Sequence, residues 1–171
     1  KNKFPTISKS LKLNYYLFFI GITLTGFGSS YYHAQPNNYT LVYDRLPMTI
    51  SFMSFFTVII GEYISETLGK KLLIPFLCLG LFSVLYWYYT ELQLQGDLRL
   101  YILIQFLPML LIPSIVLIYP SNYKNLSYLW LIMLTYALAK LFEGLDEQVF
   151  TTLKVISGHS IKHLLASCAP L

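Results

Sequence analysis

The sequence predicts an all-α membrane protein, a multi-pass bundle of transmembrane helices. Of its 171 residues, 56% are hydrophobic and only 12% are charged, whereas a soluble domain carries about a quarter charged residues. Six apolar runs each approach the roughly 20 residues that a helix needs to cross a bilayer. The connections between the runs are short, so the chain has no room for a soluble domain.

The six runs define six predicted spans within a single transmembrane domain over residues 1–171. In order along the chain they lie at about 12–32, 46–65, 72–90, 99–119, 126–143 and 155–169, the last being the shortest. Tyrosines cluster near the ends of the runs, as at Tyr15 and Tyr16 or at Tyr31 and Tyr32. An aromatic belt at the membrane interface is expected at these positions.

The lysines predict the orientation. Lys1, Lys3, Lys9 and Lys12 precede the first span, and a further pair, Lys70 and Lys71, follows the second. Both groups lie on one side, which the positive-inside rule makes cytoplasmic. The opposite side, periplasmic or luminal, then receives the segments 34–44, 93–99 and 143–154.

The aromatic residues do not favour a nucleic-acid partner, because they are not interleaved with Arg or Lys as in a stacking surface. The predicted partners are therefore the lipid bilayer and a membrane lipid. The sequence indicates no protein partner.

Four ionisable side chains are expected at one depth on the non-cytoplasmic side. His33 closes the first span there, and His159 and His163, the other two histidines of the chain, open the sixth span from the same side. Asp44 is expected at the start of the second span. Ionisable groups at membrane depth are candidates for function.

The spacing of the histidines predicts a metal site. His159 and His163 are four residues apart in HSIKH, so they lie on one helix face and can share a metal ion. His33 can supply a third ligand, and three imidazoles with an open position are typical of catalytic zinc. Zn²⁺ is the predicted cofactor, although such a site also suits other ions. Ser29, four residues before His33, or its neighbour Ser30 would lie beside the metal.

Asp44 is the candidate carboxylate that orients or deprotonates the water bound to zinc, whose pKa falls to about 7 in such sites. Taken singly, each residue has an ordinary interpretation. A histidine can belong to the interfacial belt, and Asp44 can cap a helix or pair with Arg45. Their joint occurrence on one side, with no histidine elsewhere, favours the metal site.

A second polar cluster, AKLFEGLDEQ, lies at the end of the fifth span. Lys140 and Glu143 are three residues apart and can pair on one helix face. The cluster is either an interfacial ion pair or a polar lining beside the metal. In the second case Asp146 and Arg45 are further candidates for that lining.

Together these motifs resemble the CREST membrane hydrolases, which include alkaline ceramidases, progestin and adipoQ receptors and lipid-remodelling hydrolases of GPI anchors. The matching pattern is Ser29-x3-His33, then Asp44, then His159-x3-His163. The string DRLPM, which begins at Asp44, is most similar to the alkaline ceramidases, whose members carry Asp-x-Leu-Pro-Met here. The PNN turn at 36–38 is similar to bacterial members.

The resemblance implies a seven-helix CREST fold with one zinc ion near one membrane face, of which six spans are visible in this chain. The three histidines match the zinc ligands of the family, and Asp44 and Ser29 match its aspartate and serine. The implied reaction is hydrolysis of the N-acyl amide of a sphingolipid to a fatty acid and a sphingoid base.

The chain departs from the family in three respects. The first helix of the family is expected to be absent, and the acidic calcium-binding segment of animal ceramidases has no counterpart, so calcium is not carried over. Arg45 replaces a glutamate that follows the aspartate in the family.

The predicted function is therefore a zinc-dependent intramembrane lipid amidase similar to the ceramidases. An ester hydrolase that remodels a phospholipid or a lipid anchor fits the same residues, as does a non-enzymatic receptor-like member. A proton or ion carrier is disfavoured, because the third and fourth spans offer almost no polar groups.

Overall fold

A computed structural model of the chain describes residues 9–119, 126–155, 158, 161–162 and 164–165. These residues form six α-helices and no strand, which confirms the predicted all-α class for this part of the chain. The helices are α1 (Lys12–Ala34), α2 (Asn38–Tyr63), α3 (Glu66–Leu92), α4 (Arg99–Ile118), α5 (Leu126–Gly144) and α6 (Asp146–Leu153). The chain divides into two compact units, Lys1–Ser121 with α1 to α4 and Asn122–Leu171 with α5 and α6.

Four of the described helices, α2, α3, α4 and α5, are long and apolar enough to cross a membrane. They are compatible with an integral membrane protein. Helix α1 is not among them, although it has 23 residues and coincides with the predicted first span. Polar side chains such as Asn14, Thr23 and Ser29 lower its hydropathy.

Helix α2 begins at Asn38, well before the predicted start of the second span at 46. Asn37 caps it, because its side chain accepts a hydrogen bond from the Thr40 backbone N–H at 2.9 Å and its own N–H donates to Thr40 Oγ1 at 3.2 Å. This reciprocal capping box satisfies donors that a helix start leaves unpaired. The expectation that Asp44 opens the helix is therefore wrong, since Asp44 lies in its second turn.

Helix α2 is the centre of the first unit and packs against α1, α3 and α4. Small residues let the backbones approach closely, as is common between membrane helices. A Cβ atom at Gly69 of α3 would lie 2.5 Å from Gly61 Cα of α2. Asn14 of α1 is fully buried at this junction and donates to Thr57 Oγ1 at 2.9 Å and to the Gly69 carbonyl at 3.1 Å.

The start of α1 and the turn between α2 and α3 lie at the same end of this unit. Ser10 donates to the carboxylate of Glu66, and Tyr15 donates to that of Glu62. The turn between α1 and α2 therefore lies at the other end, together with the connection between α3 and α4. Asn38 at the start of α2 donates to Glu91 near the end of α3 at 2.8 Å, which agrees with this arrangement.

The connection between α3 and α4 is ordered by Asp97. Its carboxylate accepts hydrogen bonds from Arg99 Nε at 2.9 Å and from Arg99 Nη2 at 2.7 Å. Its backbone N–H donates to Thr90 Oγ1 at 3.0 Å. The hydrogen bonds from Arg99, on the side chain and the backbone, hold the pKa of Asp97 well below its usual value.

In the second unit, α6 is a short helix within the segment 143–154, which the sequence presents as a connection. Asp146 and Glu147 occupy its first turn, where negative charge stabilises the helix N-terminus. Lys154, which follows the last helical residue, caps the helix in the left-handed conformation with φ of 56°. Much of the predicted sixth span, 155–169, lies outside the described residues.

Candidate active site

The two helices that carry Ser29, His33 and Asp44 touch backbone to backbone. A Cβ atom at Gly28 of α1 would lie 2.0 Å from the carbonyl oxygen of Tyr43 and 3.2 Å from the backbone nitrogen of Asp44. Only a residue without a side chain fits there. About two helical turns away along the same interface, a Cβ atom at Gly21 would lie 2.5 Å from Ser51 Oγ.

Gly28 and Gly21 are seven residues apart, so they occupy the same face of α1. This glycine face fixes the position of α1 along its axis relative to α2.

The close approach sets the depth of the predicted site residues. Ser29 follows Gly28, is only 9% exposed and lies in the interface of α1 with the rest of the unit. Asp44, on the facing stretch of α2, is half-buried. His33 lies four residues after Ser29, about 6 Å farther along the helix axis. It is exposed in the last turn of α1, with its ring 5.2 Å from that of Tyr32.

The two candidate serines differ in their surroundings. Ser30 is exposed and its hydroxyl donates to the Gly26 carbonyl at 2.8 Å, within its own helix. Ser29 is buried instead and follows the residue that touches Asp44. Of the two, Ser29 is the one that the fold holds at the level of the aspartate.

Arg45 leaves α2 about 100° around the helix from Asp44 and is directed at α3 and α4. Its guanidinium carbon lies 4.0 Å from the centre of the Trp87 ring and 5.0 Å from that of Tyr101. Arg45 makes no ion pair within the described part of the chain. The structure therefore does not support the alternative interpretation of Asp44 and Arg45 as an ion pair. The sequence does not indicate that Trp87 and Tyr101 lie beside Arg45, because neither residue belongs to a local motif.

Three tyrosines surround the outer face of the same hairpin. The hydroxyls of Tyr39 and Tyr43 are 2.7 Å apart, and the Tyr31 ring meets that of Tyr43 edge-on at 5.5 Å between centroids. All three are exposed. The sequence indicates an interfacial belt through Tyr31, and the structure extends it to Tyr39 and Tyr43.

In the second unit, the predicted ion pair is present. Lys140 Nζ lies 2.6 Å from Glu143 Oε2, and Lys162 Nζ lies 3.1 Å from Glu143 Oε1. Gly158 packs on the same junction, since a Cβ there would lie 2.2 Å from the Phe142 carbonyl oxygen and 2.8 Å from Asp146 Cα. Gly158 thus contacts the end of α5 and the start of α6, and Lys162 contacts the ion pair at the end of α5.

His159 and His163 themselves lie outside the described residues. Within the described part of the chain, no three His, Cys, Asp or Glu side chains come together as a metal site. His33 is the one predicted ligand that is described, and its imidazole is a donor type that zinc accepts.

The chain matches no protein-family model, no curated protein and no solved structure. Its resemblance to the alkaline ceramidases rests on the residues of the motifs quoted above.

Proposed function

We propose that the chain is a zinc-dependent hydrolase of the N-acyl amide of a membrane lipid, similar to the alkaline ceramidases. The contact of Gly28 with the Tyr43–Asp44 peptide is the observation that supports this most, because it keeps Ser29 and Asp44 at one level. A hydroxyl donor and a carboxylate at one level of the two helices suit amide hydrolysis, in which a proton must move and an oxyanion must be stabilised.

In this proposal His33, with His159 and His163 as the sequence pattern assigns them, would hold the zinc ion. Zinc supplies Lewis acidity and lowers the pKa of a water molecule to about 7. The donor set agrees with this role, because three neutral imidazoles leave a position open for water or substrate.

Asp44 and Ser29 carry the proton transfer and the charge stabilisation. Asp44 accepts a proton from the attacking water as its oxygen bonds to the carbonyl carbon. Ser29 donates a hydrogen bond to the carbonyl oxygen as negative charge develops there. When the C–N bond breaks, Asp44 returns the proton to the leaving nitrogen, so a fatty acid and an amine are released. One carboxylate thus acts first as the base and then as the acid.

The membrane setting agrees with a lipid substrate. Four described helices are apolar and long enough to cross a bilayer. The turn of Gln35 to Asn37 and the Asp97 connection lie at one end of the first unit, and the lysine-rich start of α1 lies at the other. By the positive-inside rule, the end that carries His33 would face the periplasm or lumen.

The proposal is tested by incubating purified protein with an N-acyl sphingoid lipid and measuring the released fatty acid. Ser29→Ala is expected to lower kcat by roughly 10²–10³-fold, as for the loss of an oxyanion donor. Ser30→Ala is the matched control, because its exposed hydroxyl bonds within α1, and it should retain activity.

Equal losses in the two serine variants would contradict the role of Ser29. Turnover of a lipid ester with no turnover of the amide would replace the amidase by an ester hydrolase. No turnover of either lipid would leave the receptor-like alternative.

A further inference from the structure

Arg45 is a half-buried cation in an aromatic site. Its guanidinium lies over Trp87, which is 2% exposed, and faces Tyr101, which is 7% exposed. The Tyr101 hydroxyl donates to Met48 Sδ at 3.8 Å, which ties that ring to α2. The two rings hold the flat faces of the guanidinium and leave its N–H groups, which lie in the guanidinium plane, for other partners.

Those N–H groups are not all satisfied. Arg45 Nη1 is buried and has no hydrogen-bond partner in the described structure. No described carboxylate forms an ion pair with Arg45. The charges of Asp44 and Glu91 act on Arg45 from a distance, and Glu91 also accepts a hydrogen bond from Asn38. A buried N–H donor without a hydrogen-bond partner is unfavourable, so an anion that accepts a hydrogen bond from Nη1 would be favoured.

A separate apolar cleft lies between α2, α3 and α4. It has a volume of about 220 Å³. Its walls are almost wholly apolar and include Met53, Phe56, Phe76, Leu79, Phe82 and Leu103. Such a cleft suits an acyl chain, because contact with apolar side chains stabilises it there.

Each helix of the cleft also contributes to the cationic site. On α3, Ser83 lines the cleft and Trp87 lies one turn beyond it. On α4, Leu100 lines the cleft and Tyr101 follows directly. On α2, Arg45 precedes the lining residue Met53 by eight residues, or about 12 Å along the axis. The cleft and the guanidinium thus lie at neighbouring levels of the same three helices.

We infer that the cleft and Arg45 together bind an N-acyl lipid that carries a phosphate group, with one acyl chain in the cleft and the phosphate on Arg45. This inference rests on the proposed hydrolase function and names its substrate class. Phosphate is the lipid anion that matches the guanidinium fork, which can donate two parallel hydrogen bonds to it. Because Arg45 follows Asp44 in α2, a phosphate held there keeps the lipid headgroup at the end of the helix that carries the base.

The test compares binding of two lipids to the detergent-solubilised full chain by native mass spectrometry. Both are N-acyl sphingoid lipids of equal chain length, one with a phosphate monoester on the headgroup and one with a free hydroxyl. Wild-type protein is expected to bind the phosphorylated lipid roughly ten- to a hundredfold more tightly. Arg45→Gln should abolish the preference, and Arg45→Lys should retain part of it, since lysine keeps the charge without the fork.

Arg99→Gln is the matched control, because Arg99 is the only other arginine of the chain and is 88% exposed beside Asp97. It should retain the full preference. Equal binding of the two lipids by the wild type would overturn the inference, even if the Arg45 variants fail to fold. Displacement of the lipid by an equal concentration of inorganic phosphate would also overturn it, since the occupant would then be a free anion.

Binding is measured here without turnover. Equal binding of the two lipids would therefore leave the hydrolase proposal standing, and a lack of turnover would leave the binding preference standing.

Discussion

Gly28 of α1 lies directly against the carbonyl oxygen of Tyr43 in α2, so closely that a Cβ atom would come within 2.0 Å of that oxygen. This contact joins the helix that ends in His33 to the helix that contains Asp44. Because it is made by the backbone, it cannot be relieved by a side chain that rotates away. It therefore sets both the spacing of the two helices and the register of Ser29 relative to Asp44.

Gly28→Ala is expected to separate α1 from α2 and to lower both stability and the proposed activity. Overpacking of this kind typically costs about 1–3 kcal/mol. The measurement is the melting temperature of the purified protein together with its turnover. Gly26→Ala is the matched control, since a Cβ at Gly26 meets nothing within 4 Å. If Gly28→Ala were as stable and as active as Gly26→Ala, the contact would not hold the site together.

Gly158→Ala should act in the second unit as Gly28→Ala acts in the first. A Cβ there would meet the Phe142 carbonyl oxygen at 2.2 Å, so the backbone at Gly158, one residue before His159, must move away from the end of α5. Zinc content and turnover are expected to fall together in this variant. Gly144→Ala provides the comparison, because that position has open space around it. Unchanged zinc content in Gly158→Ala would show that this packing does not position the histidines.

The Asp97–Arg99 pair predicts a dependence of stability on pH. Hydrogen bonds from Arg99 lower the pKa of Asp97 in the folded protein, so the unfolded chain binds this proton more readily. The pair therefore stabilises the fold above the unfolded pKa of about 3.9, and its contribution is lost as the pH falls through the lower folded pKa. The difference in melting temperature between wild type and Asp97→Asn should be largest above about pH 5 and should shrink below about pH 4.

Arg99→Gln removes only the side-chain hydrogen bonds and keeps the backbone N–H of residue 99, so its difference from wild type should change with pH in the same direction but by less than that of Asp97→Asn. A difference between wild type and Asp97→Asn that stays constant from about pH 3 to pH 7 would contradict the assignment.

The sequence predicts the helices well where composition decides them. The runs at 99–119 and 126–143 end within a residue of α4 and α5, because long apolar runs have sharp polar boundaries. Composition does not predict the start of α2. Its first two turns, Asn38 to Arg45, are polar enough to look like a connection, and the capping box of Asn37 and Thr40 stabilises the helix start there.

Within the site, the sequence identifies the groups that carry charge but not the contacts that arrange them. Ser29, His33, Asp44 and Arg45 all stand out as polar residues next to apolar runs. Gly28 does not, because a glycine within a helix has no sequence pattern that reveals which backbone it faces. Trp87 and Tyr101 are ordinary members of aromatic clusters in the sequence, and only the packing of α3 and α4 on α2 brings them to Arg45.

The zinc content of the purified protein, measured by mass spectrometry of the metal, tests the central claim most directly. The wild type and Asp44→Asn are expected to retain about one zinc ion per chain, because Asp44 is not a ligand in the proposed three-histidine site. His33→Ala and His159→Ala should each lose it. A wild-type protein without zinc, or a His33→Ala protein that keeps its zinc, would contradict the account.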